Sequence, residues 1–319
     1  MAVSTGSKQQ QGPLAYYVGK VRRHVYWART EGIGRLIEED RLDPRERLST
    51  AWTKARWRRR HGVAPGAAVP VYVVGLQRSG TNMLMRGVDL APEVEVRNEN
   101  DRGVFHRFQL RSDDVLAQTI RASRHAIVLV KPLCESHRVD ELLDLPGVRS
   151  GRALWVFREP QARARSEVSK FRDSNLQALR AIAAGEGASL WQGGRLPAAS
   201  VELVQSFDTE TMSPETAAVL FWVVRNQLYF DLGLDVRGDV MPVCYDDFVA
   251  DPEGQMRRLC AFVGLRYRPE LCGHVVPRQT HGAQPLQVDR RVAQLAAELY
   301  ERLRAEAGQR PVEPAGEAT

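Results

Sequence analysis

Five short apolar runs, alternating with helical patterns from about residue 69 onward, constrain this fold more than any other feature. VPVYVVG (69–75), VEVR (94–97), AIVLVK (126–131), ALWVFR (153–158) and VMPVCY (240–245) are mostly continuous rather than alternating. Such runs suit strands buried on both faces, as in a parallel sheet. Between and after them the spacing predicts helices over 80–90, 101–122, 136–144, 160–180, 214–232, 253–263 and 289–306. Strands alternating with helices imply βαβ crossovers and a three-layer α/β domain, a central parallel sheet flanked by helices. Residues 183–200, rich in Gly, Ala and Ser, read as a mobile loop near the site.

The charge is unevenly spread along the 319 residues. Residues 1–67 hold 14 Lys and Arg against 6 Asp and Glu, and the remainder holds 31 against 33. A body so close to neutrality that binds anions must do so with a few focused groups. Three segments are expected: a basic helical extension over 1–67, an α/β domain over 68–308, and a disordered tail over 309–319. Within the extension, residues 14–60 look helical. Leu14, Tyr17, Val18, Val21 and Val25 recur at helical spacing, and a second helix opens at DPRE with Pro44 in its first turn. This segment reads as a solvated face or lid; peripheral contact with anionic lipid through 14–60 is the alternative, and nucleic acid is disfavoured as a partner. The apolar runs are too short to span a membrane, and the first residues contain no apolar leader, so a cytoplasmic location is expected. Cys134, Cys244, Cys260 and Cys272 have no metal-ligand spacing and read as reduced thiols. Nothing in the sequence speaks to oligomeric state.

The first strand runs into a phosphate-loop outline with a gap. Gly75 and Gly80 have the spacing of G-x-x-x-x-G-K-[ST], but Thr81 and Asn82 stand where a nucleotidase carries its lysine and its magnesium-binding hydroxyl. In an open parallel sheet, ligands sit beyond the carboxyl ends of the strands. Gln77, Arg78, Ser79, Gly80, Thr81 and Asn82 follow the first strand there. Free N–H groups at the helix start, together with these side chains, can saturate a multi-oxygen anion without a metal. A second signal is WVFREPQARARSEVSKF, in which Arg158 ends a strand and Ser166 lies about two helical turns later. A strand-end arginine and a helix-borne serine can converge on a second anion.

GLQRSGTNML together with FREPQARARSEVSKF resembles the sulfotransferase family, whose donor is 3′-phosphoadenosine 5′-phosphosulfate (PAPS) and whose product is 3′,5′-ADP. The resemblance covers residues 69 to 265 and implies a P-loop-like fold and transfer of a sulfuryl group to a hydroxyl. It assigns Gln77, Arg78, Ser79, Gly80, Thr81 and Asn82 to the phosphosulfate loop, and Arg158 and Ser166 to the 3′-phosphate. YDDFVADPEGQMRRLCAFVGL (245–265) is similar to a further family segment, which implies Tyr245 near the adenine. PAPS carries no β,γ-diphosphate, so the absent lysine and metal-binding hydroxyl are not required. No metal is expected, and Arg78 stands in as the local positive charge.

The chain departs from the family pattern at three places. Met83 stands where cytosolic members place an adenine-stacking aromatic. The C-terminal phosphate loop is not evident, and RQTHG, with Arg278, is the candidate substitute. Leu133 stands where those members carry a catalytic histidine, although Lys131 matches their strand-end lysine and is assigned to the transferring group. Another base is therefore needed. Glu99, at the end of the second strand, is the first candidate, since other branches of the family use a glutamate. His106 is the second, because imidazole suits base work near neutral pH. The acceptor is open: a small molecule, a carbohydrate or a lipid with a free hydroxyl would fit. A P-loop kinase or NTPase is the rival reading, and a basic membrane- or RNA-binding protein a more distant one.

Overall fold

The computed structural model describes residues 44–277 and 284–309. The chain divides into two units between Thr53 and Lys54. Residues 14–43 of the segment 14–60 expected to be helical, the RQTHG segment with Arg278, and residues 310–319 lie outside the described residues.

Helix α1 spans Pro44–His61, with proline in its first turn and Arg58, Arg59, Arg60 and His61 in its last, where the helix dipole favours cations. Then follow strand β1 (Val69–Gly75), helix α2 (Thr81–Val88), β2 (Val94–Arg97), a small hairpin of β3 (Phe105–His106) and β4 (Gln109–Leu110), α3 (Asp113–Ala122) and β5 (Ile127–Val130). A 3-10 turn, Leu133–Arg138, leads into α4 (Val139–Leu143) and β6 (Arg152–Phe157). Next come α5 (Pro160–Phe171), α6 (Ser174–Ala183), α7 (Ala198–Gln205) and α8 (Pro214–Asp231). The last described elements are β7 (Val240–Cys244), α9 (Tyr245–Ala250), α10 (Pro252–Val263) and α11 (Arg290–Gln309).

The five apolar runs form one sheet of order β2-β5-β1-β6-β7, parallel throughout. Its first strand lies in the middle. From β1 the chain goes out to the edge strand β2, returns to β5 between them, then crosses β1 to β6 and β7, so the topological switch lies at β1. Both faces are buried. Tyr72, Val74, Val130, Trp155 and Phe157 join one apolar cluster with α8 and α11, while Val71, Val73, Leu129, Val156 and Val243 join the other with α2 and α10. Helix α8 is buried nearly all round, the pattern of a core helix. The three-layer α/β architecture read from the runs is present. Among the described residues no helix is long and apolar enough to cross a membrane, and all four cysteines are free and buried.

Three local expectations are corrected. The segment 101–122 is not one helix: the Asp101 carboxylate accepts from the Gly103 N–H instead of starting a helix, and the hairpin β3–β4 intervenes before α3. The pattern over 160–180 breaks at Arg172, whose φ of 57° ends α5 before α6 begins. Residues 183–200 are not an unstructured loop but contain two 3-10 turns, Gly187–Ser189 and Trp191–Gly193, followed by α7.

Candidate functional site

The carboxyl ends of β1, β2, β5 and β6 carry the residues singled out in the sequence. Beyond β1 the loop turns through two left-handed positions, Arg78 at φ 70° and Gly80 at φ 92°. Glycine is required at both ends of this stretch. A Cβ on Gly75 would stand 2.2 Å from the Val156 carbonyl oxygen of the neighbouring strand. A Cβ on Gly80 would stand 2.1 Å from the Tyr245 ring. Gly80 is the N-cap of α2 and offers no side chain to the first-turn N–H groups, which leaves that turn to other acceptors. The base of the loop is held by Ser136, whose Oγ accepts from the Gly75 N–H at 2.9 Å and lies 3.0 Å from the Gly75 carbonyl.

Arg78 and Ser166 are in contact: Arg78 Nε donates to Ser166 Oγ at 2.9 Å. The loop after β1 and the helix after β6 therefore form one surface. Arg158 lies with its guanidinium 4.6 Å above the centre of the Tyr245 ring, and its Nε is buried without a partner. Tyr245 is itself buried, its ring wedged between Gly80 and Arg158, so it serves as a post that spaces the loop from the arginine. Ser79 is fully buried and its Oγ has no partner. Thr81 is buried at the start of α2, and Gln77 is half-buried before Arg78.

On the other side of β1, Lys131 joins the same loop. Its buried ammonium donates to Asn82 Oδ1 at 2.6 Å and pairs with Glu99 Oε2 at 2.9 Å. The strand ends of β2 and β5 thus bring Glu99, Lys131 and Asn82 to one point. His106 is exposed on β3, paired with Gln109 across the hairpin, and its imidazole makes no hydrogen bond or ion pair with any of these groups.

One residue beside this group carries no sequence signal. Glu135, buried in the turn after Lys131, accepts from the Leu110 N–H at 3.0 Å and so ties the hairpin to the end of β5. Its Oε2 has no partner. Burial pushes this carboxyl up to about 7, with the Glu99 charge adding to the shift, while the Leu110 amide and Arg138 oppose it.

A family model described as sulfotransferase matches residues 70–269, well over half of the chain. The chain belongs to the sulfotransferase family. No curated protein sequence matches it. Among solved structures it is similar to a sulfotransferase from Alicyclobacillus acidocaldarius, at 15% identity and a TM-score of 0.42, covering 76% of this chain and 94% of that one. The sulfotransferase domain of the Synechococcus PCC 7002 olefin synthase follows at 13% identity and 0.38, covering 80% and 94%. The sulfotransferase domain from the curacin biosynthetic pathway gives 13% and 0.37, covering 77% and 94%. These are distant likenesses, and family membership rests on the sequence model. The family segment contains every site residue named above, from Gln77 to Tyr245, and ends before Arg278.

Proposed function

We propose that residues 68–308 transfer a sulfuryl group from PAPS to a hydroxyl of a small-molecule, carbohydrate or lipid acceptor. The observation that carries this reading is the contact between Arg78 and Ser166. It merges two anion-binding stretches of the sequence into one surface, as a nucleotide with two separate anionic ends requires.

The residues fit that donor on their own chemistry. Ser79 Oγ and Arg158 Nε are buried polar atoms without partners, and such atoms are costly unless something pairs with them. Arg78, Ser79, Gly80, Thr81 and Asn82 would hold the 5′-phosphosulfate, with Gln77 leading into the loop, and Arg158 and Ser166 the 3′-phosphate. PAPS supplies the activated sulfuryl group, and the rest is positioning and electrostatics, as in phosphoryl transfer. Lys131 is held between Asn82 and Glu99. Lys131 would face the oxygens of a sulfuryl group bound at the loop. Glu99 would take the proton from the acceptor hydroxyl as that oxygen bonds sulfur and the sulfur–oxygen bond to the leaving 3′,5′-ADP breaks. No residue in this scheme calls for a metal.

Thermal-shift titration tests the reading. 3′,5′-ADP without magnesium should raise Tm in a saturable manner. Stabilisation by Mg-ATP in preference to 3′,5′-ADP would instead support the kinase or NTPase reading.

A further inference from the structure

We infer that Arg163 is a positioning residue for the anion loop: by pinning the Gln77 carbonyl it sets the backbone that presents Arg78. This rests on the proposed role of the loop in binding the donor. Arg163 lies on α5 between Arg158 and Ser166, but it is fully buried where those two face the loop. Its Nε donates to the Gln77 carbonyl at 3.1 Å, across 86 residues. Its Nη1 donates to Asn175 Oδ1 at 2.6 Å and to the Ala218 carbonyl at 3.3 Å, and its Nη2 lies 3.2 Å from Glu167 Oε2, an ion pair without hydrogen-bond geometry. One rigid fork therefore ties the loop to α5, α6 and α8.

The Gln77 oxygen and the Arg78 nitrogen share one planar peptide unit. Fixing that oxygen fixes the plane from which φ of Arg78 is measured. Arg78 holds φ at 70°, which an arginine keeps only where its surroundings over-determine it. In a trans peptide the N–H points opposite to the carbonyl. A carbonyl drawn inward by Arg163 therefore aims the Arg78 N–H away from the core.

The arrangement is expensive if it serves stability alone. Burial pushes the Arg163 guanidinium down, Arg78 nearby pushes the same way, and only Glu167 opposes them. A buried ion pair is often no more stabilising than apolar packing of the same volume. Lysine could supply the charge but not the fork.

The test compares Arg163→Lys, Arg163→Gln and Asn175→Ala. Asn175→Ala loosens the same network but leaves the Gln77 bond, so Tm should fall while the Kd for 3′,5′-ADP stays within about twofold. Arg163→Lys and Arg163→Gln, measured well below their own Tm, should weaken 3′,5′-ADP binding roughly tenfold, the scale of one charge-assisted hydrogen bond. Amide exchange of the peptide covering 76–80 should quicken in the Arg163 variants and not in Asn175→Ala. If Arg163→Lys binds like wild type, or if exchange over 76–80 is the same in all variants, the positioning role is overturned. The exchange readout decides the matter even if wild type does not bind 3′,5′-ADP, a result that would overturn the proposed donor instead.

Discussion

Arg78 Nε and Ser166 Oγ meet at 2.9 Å although 88 residues separate them. The contact gives the loop arginine a fixed direction along the surface between β1 and α5, where a flexible side chain would otherwise sample many rotamers. Ser166→Ala removes that anchor and one hydroxyl. It should weaken 3′,5′-ADP binding by about 1–2 kcal/mol in a calorimetric titration, the scale of one hydrogen bond involving a charged group. Unchanged affinity would separate Ser166 from the donor site.

Arg158 offers a charged fork whose Nε is buried and unpaired beside Tyr245. If it holds the 3′-phosphate, Arg158→Ala should cost roughly 1.5–3 kcal/mol of 3′,5′-ADP affinity. Binding of 5′-AMP, which lacks that phosphate, should be the same in variant and wild type. A loss shared equally by both nucleotides would assign Arg158 a structural role.

Glu99 reaches Lys131 at 2.9 Å, and Lys131 reaches the loop after β1 through Asn82. If Glu99 is the base, Glu99→Gln keeps the shape and removes the proton acceptor. Turnover should fall roughly 10²–10⁴-fold, with the 3′,5′-ADP Kd little changed. His106→Gln should retain near wild-type turnover. The opposite pattern would move the base to the hairpin.

The Gly80 hydrogen that faces Tyr245 leaves no room for a methyl group. Gly80→Ala puts a Cβ 2.1 Å from the ring at a φ of 92°, so either the tyrosine or the loop must move. The backbone strain alone is of order 1–3 kcal/mol. Chemical denaturation should show a loss of at least that size, and donor binding should fall with it. A variant as stable as wild type would mean that the ring yields freely and does not act as a post.

The parts of this site that the sequence announces are local. Five apolar runs mark the strands, and Gly75, Gly80, Arg78, Arg158 and Ser166 stand at fixed offsets from their ends. Glu99 and Lys131 are legible only as strand-end residues; that they pair across β2 and β5 follows from a register no spacing reveals. The hairpin β3–β4 is hidden because Arg107 and Phe108 adopt left-handed backbone without the glycine or asparagine that usually marks such a turn. Ser136, Glu135 and Arg163 are hidden for another reason. Their partners are Gly75, Leu110 and Gln77, and backbone amides and carbonyls look alike at every position of a sequence. Met83, where an aromatic is absent, has its carbonyl 2.9 Å from His274 Nε2, a contact across 191 residues.

Glu135 gives the protein a pH signature of its own. Burial lifts its carboxyl from an ordinary 4.5 to about 7, so the folded chain holds a proton there that the unfolded chain releases above about pH 4.5. Unfolding between these two values sheds a proton, and stability must therefore fall as pH rises through that window. The contribution is fully present below 4.5 and gone above about 7. Glu135→Gln keeps an oxygen for the Leu110 N–H and cannot titrate. Urea denaturation at pH 5, 6, 7 and 8 should show wild type losing ground to the variant, at no more than about 1.4 kcal/mol per pH unit, and then running parallel to it. Parallel curves across the whole range would mean that Glu135 titrates as an ordinary carboxylate and that its unpaired oxygen is solvated.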